Sequence, residues 1–131
     1  MSASSAGAGV DEHGVLRLPE GSWRDWTVAG HDGSRLRLVA GYDLAYHYGL
    51  ELVFTDASYV LCPFDFLDPE FRAPTVEERA KIARLLGEEP AVLVAFEADG
   101  GGTEPASCLI AAETLDVVVG RFPRVGASDV G

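Results

Sequence analysis

The sequence is poor in the residue patterns that announce chemistry. It has two cysteines and three histidines, with no Cys-x-x-Cys and no paired-histidine spacing, so no zinc site is legible. Nucleophilic catalysis by Cys62 needs a base beside it and a group to orient that base. His13, His31 and His47 are available, but no signature surrounds the cysteine. The glycine-rich run Asp99-Gly100-Gly101-Gly102-Thr103 has no lysine and no helix after it, and it ends Glu104-Pro105. It therefore reads as a hairpin connection and not as a phosphate cradle. No apolar run approaches the ~18 residues that a membrane helix requires. The start, MSASSAGAG, has neither the basic nor the apolar region of a secretory signal. These absences give a cytoplasmic location, no catalytic residues, no metal ligands and no cofactor as the expectation.

What is present is a soluble, acidic composition. The 131 residues are 47% hydrophobic and 24% charged, which fits a single globular domain able to bury a core without staples. We expect a disordered tail over 1–9, one domain over 10–125 and a loose end over 126–131. Acidic residues outnumber basic ones 21 to 10, for a net charge of −11. All but Asp129 lie between Asp11 and Asp116, so the charge belongs to the folded body. Such a field repels nucleic acid and anionic membranes and suits a basic protein partner. Cys62 and Cys108 are expected to be reduced and buried. Arginine stands almost alone as the basic residue, beside abundant Ala, Gly and Val, which suggests a bacterial genome of high GC content.

Strand signals dominate. Val15–Leu18 and Trp23–Val28 are short candidates, and Gly30–Ser34 reads as a turn. From Arg35 to Leu44 the set Leu36, Leu38, Ala40, Tyr42 and Leu44 alternates with Arg35, Arg37, Val39 and Asp43, the pattern of a half-buried strand. Tyr46–Gly49 reads as the hairpin loop and Leu50–Thr55 as the return. At Asp56–Ser58 the apolar phase moves to Tyr59 and Leu61, which a bulge would produce. Cys62-Pro63 ends that run, and Phe64–Pro74 reads as a loop.

One helix is expected over Thr75–Leu86. Thr75 with Glu78 three residues on makes a capping box, Gly87 is the C-terminal stop, and Val76, Ala80, Ala83 and Leu86 form a stripe widened by Ile82. Ala91–Ala98, Ser107–Ala112 and Thr114–Val119 complete the strands. The sum is an α+β domain with a mostly antiparallel sheet of six or seven strands and one helix.

Two places are candidates for binding. Asp43, Tyr46, His47 and Tyr48 cluster at a hairpin tip, where aromatic rings with a carboxylate suit a cationic group or a protein surface. Asp65, Asp68 and Glu70 lie in the Phe-rich segment before the helix. Their spacing does not match a calcium loop, so Phe64, Phe66 and Phe71 are expected to anchor the segment while the acids stay solvated. Arg72 could pair with one of these acids.

The run Gly41-Tyr42-Asp43, Leu50–Phe54 with Asp56, Tyr59 to Pro63, and Phe71-Arg72 before Thr75 resembles a pattern in small uncharacterised bacterial, actinobacterial β-rich proteins. That resemblance implies a β-rich fold and transfers no activity. In size and acidity the chain is also similar to immunity proteins of bacterial toxin systems. The first functional expectation is therefore a non-enzymatic protein-interaction module, immunity-like in its most concrete form. The alternative is a small-ligand binder or enzyme with a pocket near the Tyr46–Tyr59 hairpin. A homodimer through exposed sheet edges is a third possibility.

Overall fold

The computed structural model describes residues 8–21, 23–41 and 48–121. Alternation builds the sheet as the sequence predicts. Strand β4 (Arg35–Gly41) buries Leu36, Leu38 and Ala40, and β5 (Tyr48–Thr55) buries Leu50, Leu52 and Phe54. The strand before them, β3 (Asp25–Asp32), runs through Gly30 and His31, which the sequence reading assigned to a turn. The turn is only Gly33-Ser34. Gly33 adopts φ 60°, a left-handed conformation that glycine takes without strain, and a bulge between Val28 and Gly30 absorbs the odd residue.

After β6 (Tyr59–Leu61) comes β7 (Asp65–Arg72), where a loop was expected. Helix α1 (Val76–Leu86) and strands β8 (Val92–Asp99), β9 (Ala106–Ala112) and β10 (Thr114–Arg121) follow. Near the N-terminus β1 (Gly9–Val10) pairs with β2 (Leu16–Arg17) as a separate ribbon. The α+β, antiparallel reading holds, but the strands number more than six or seven. An eight-stranded sheet has the order β10-β5-β4-β3-β7-β8-β9-β6, beside the two-stranded ribbon.

The excess has a simple origin. β5 and β6 are two halves of one bent strand, and β9 and β10 are two halves of another. The halves pair across the bend, β5 with β10 and β6 with β9. Hydrogen bonds from Glu113 N to Thr55 O (3.0 Å) and from Ser58 N to Ala111 O (2.9 Å) carry the ladder through the corner. The two ends of the sheet order are thus one continuous ribbon, and the sheet closes on itself as a barrel. At the corner three residues, 56–58, oppose two, 112–113, with Asp56 at φ 55°. The extra residue expected near Asp56 is there. Its effect differs from expectation, since Leu61 is 48% exposed and Tyr59 turns outward to a second apolar layer under the helix.

The interior is filled with side chains. Trp26 stacks on Phe66 at 5.9 Å, and Phe96 contacts both Phe66 (5.3 Å) and Phe71 (5.0 Å). No polar or charged residue is buried among the described residues. Trp26 is fully buried and donates its indole N–H to Trp23 O (2.8 Å), while the half-buried Trp23 donates to Pro19 O (2.9 Å). Leu16 of the ribbon is inserted into the same core, 3% exposed.

The helix lies outside the barrel. Its capping box is formed, with Thr75 accepting from Glu78 N and Glu78 accepting from Thr75 N, and Gly87 ends it at φ 86°. The expected apolar stripe is corrected. Only Ile82 is fully buried, Ala83 and Leu86 are half-buried, and Val76 is 82% exposed. Ile82 meets Ala95, Leu109 and Ala111 on the outer face of β8 and β9. Both faces of β9 are therefore covered, which explains its continuous apolar run.

Leu16→Ala is expected to lower stability by about 3 kcal/mol, because the ribbon leaves a cavity in a closed core. Thr75→Ala is expected to cost about 1 kcal/mol. Both would be read as shifts of the urea midpoint at unchanged slope. A Leu16→Ala protein as stable as the wild type would show that the ribbon does not seal the core.

Candidate functional site

Strand β7 carries the acidic candidates. Its register slips between Leu67 and Glu70, where Asp68 sits at φ 49° ahead of Pro69. That bulge lets Phe66 and Phe71 both reach the core although their spacing is odd. Phe64, expected as a third anchor, is 78% exposed. The proline and the phase slip hid the strand from the sequence reading.

The bulge sends Asp68 and Glu70 in one direction and leaves Asp65 apart. Asp65 accepts a hydrogen bond from the Thr27 hydroxyl at 2.6 Å. Asp68 and Glu70 line a cleft of about 450 Å³ together with Glu97, Asp99 and Glu104 of the β8–β9 hairpin. Those last three were not among the binding candidates of the sequence. The available signal was an acid at each end of the glycine-rich connection, Asp99 and Glu104, but nothing local told that this hairpin would face β7.

Two of the five carboxylates are neutralised. Arg24 forms a forked pair with Asp68 (2.9 and 3.3 Å) and holds its carboxyl below the usual range. Arg72 binds Glu97 (2.9 Å). Glu70, Asp99 and Glu104 have no basic partner among the described residues and are exposed. No group of three or more metal-ligating side chains converges among the described residues. The cleft is a negative surface.

Arg72 does not pair with Asp65, Asp68 or Glu70, as was thought possible. Its guanidinium is shared between Glu78 (2.8 and 2.9 Å) and Glu97, joining β7, β8 and the first turn of the helix. Arg72, and then the Thr75 amide, hold the Glu78 carboxyl down at about 2.

A second, apolar cleft of about 420 Å³ opens where β3 diverges from β7. It is lined by Val28, Leu36, Tyr59, Val60, Cys62 and Phe64, with His31 and Ser58 among its polar groups. Val60 is 42% exposed there. Burial pushes the Cys62 thiol up.

Of the tip candidates, Asp43, Tyr46 and His47 lie outside the described residues. Tyr48 opens β5, its backbone paired with Arg121. Compared with protein-family models, curated proteins and solved structures, the chain matches none of them. No helix among the described residues is long and apolar enough to cross a membrane.

The Glu78 link has a defined acid dependence. Its folded-state pKa lies below the unfolded value, so its stabilisation is present above about pH 4.5 and is lost as pH falls toward about 2. Glu78→Gln is expected to be less stable than wild type near neutrality, with the difference shrinking on acidification. Equal separations in chemical unfolding at about pH 7 and about pH 3 would count against this assignment.

Proposed function

We propose that the protein is a non-enzymatic interaction module whose acidic cleft between β7 and the β8–β9 hairpin receives a basic partner. The observation that carries this reading is the convergence of Asp68, Glu70, Glu97, Asp99 and Glu104 on one concavity, with three of them left without a basic partner among the described residues. A concave surface of one sign concentrates the field and speeds encounter with a cationic protein. The net charge of −11 adds to that field at longer range. An immunity-like inhibitor of a basic toxin is the most concrete form of the reading.

A second reading, a small-ligand site, is favoured by the apolar cleft. Its volume falls in the range of ligand pockets, and Ser58 and His31 are polar residues in its apolar lining.

Calorimetric titration with a synthetic arginine–glycine peptide tests the first reading. Binding is expected at low ionic strength and should weaken steeply with salt. The triple variant Glu70→Gln, Asp99→Asn, Glu104→Gln is expected to bind about tenfold more weakly, since each exposed charge is worth a fraction of a kcal/mol. Absence of binding at low salt, or equal binding by the triple variant, would reject the acidic cleft as the contact surface.

A further inference from the structure

The barrel holds two cysteines that the acidic cleft does not use. Strand β6 pairs with β9 in the register Tyr59↔Ala111, Val60↔Ile110, Leu61↔Leu109. Cys62 follows Leu61 and Cys108 precedes Leu109, so one further step of the same register sets the two cysteines opposite each other. Side chains alternate along a strand. Cys108 therefore shares the inward face with Ile110, and Cys62 shares the cleft face with Val60. Cys62 packs against the cluster that contains Cys108, and both thiols are free.

We propose that Cys62 and Cys108 are a cross-strand dithiol that a low-molecular-weight disulfide converts to an intramolecular disulfide. Residues directly opposite on antiparallel strands have Cβ atoms about 4.5–5.5 Å apart, and a disulfide needs about 3.5–4.5 Å. An approach of about 1 Å is required, and the site can supply it. Cys62 lies one residue beyond the last paired position of β6, at a strand end, where the backbone is freer to shift than within the ladder. Cys62 also lines the open apolar cleft, so a soluble oxidant reaches it, while Cys108 is fully buried behind it.

The chemistry runs in two balanced steps. The Cys62 thiol loses its proton and attacks the oxidant disulfide, giving a mixed disulfide on Cys62 and one thiol product. The Cys108 thiol then loses its proton and attacks the Cys62 sulfur, releasing the second thiol product. The two protein sulfurs are oxidised and the oxidant is reduced to two thiols. Cys108 is fully buried, so a soluble oxidant does not reach it directly, and burial and the facing Cys62 push its thiol up to about 12. Its conversion depends on prior capture of the oxidant by Cys62. The product bond fastens the cleft wall formed by the end of β6 to the barrel.

Folded protein exposed to oxidised glutathione, then quenched and mapped by mass spectrometry without reduction, tests this. The expected product is a monomer lighter by two hydrogens, with a linked peptide pair containing residues 62 and 108 and full recovery of both thiols in dithiothreitol. Cys108→Ser is expected to stop at a stable glutathione adduct on Cys62, and Cys108→Ala serves equally should the serine not be accommodated. Three results would each overturn the proposal. The wild type retains the glutathione adduct with Cys108 still free, the chain dimerises through Cys62, or the folded protein stays reduced under conditions that oxidise the urea-unfolded chain.

Discussion

The ladder between the two bent strands is the constraint on which the rest of the molecule depends. Because β5–β6 pairs with β9–β10 through both corners, the sheet has no independent ends. Closure forces one face of every long strand inward, and that requirement selects the packing of Trp26, Phe54, Phe66 and Phe96. It also fixes which residues stand opposite each other on paired strands. Where the strands diverge the wall needs a cover. At one place the chain supplies its own, the β1–β2 ribbon with Leu16 inserted into the core. Between β3 and β6 no described residue does so, and the apolar cleft results.

The interior is filled and apolar among the described residues, and the clefts lie at the surface. Many barrels use their lumen for ligands; here side chains fill it, with no buried polar or charged residue among those described. Among the surface concavities are two of distinct chemistry, one acidic and one apolar. Pro63 of the β6–β7 connection lies close against Gly100, so that a Cβ on that glycine would meet the proline ring at 3.0 Å. A side chain at Gly100 would therefore press on the β6–β7 connection.

Much of this fold was legible in the sequence, and what was hidden was hidden for physical reasons. Leu36, Leu38 and Ala40 alternate cleanly because β4 has one covered face and one wet one. Thr75 and Glu78 marked the helix start because capping is local. Strand β7 escaped because a left-handed Asp68 and Pro69 break both its alternation and its hydrogen-bonding pattern. The helix face was misjudged because the partner of Glu78 is Arg72, a tertiary contact that turns Glu78, Ile82 and Leu86 toward the barrel in place of Val76 and Ala80. The acidic cleft was half legible. Asp68 and Glu70 were named, but Glu97, Asp99 and Glu104 come from a hairpin some 30 residues later in the chain. No local pattern encodes that meeting.

The helix commits very little of itself to the barrel. One side chain, Ile82, is fully enclosed, and a single guanidinium links its first turn to the strands. Lifting it away uncovers chiefly Ala95, Leu109, Ala111 and Tyr59 and breaks no rung of the closed ladder. The molecule therefore has two tiers of cooperativity. An outer tier can open as a unit at modest free energy, while the inner tier opens only with global unfolding. The amide protons of α1 and of β5 would report these two tiers on widely separated timescales.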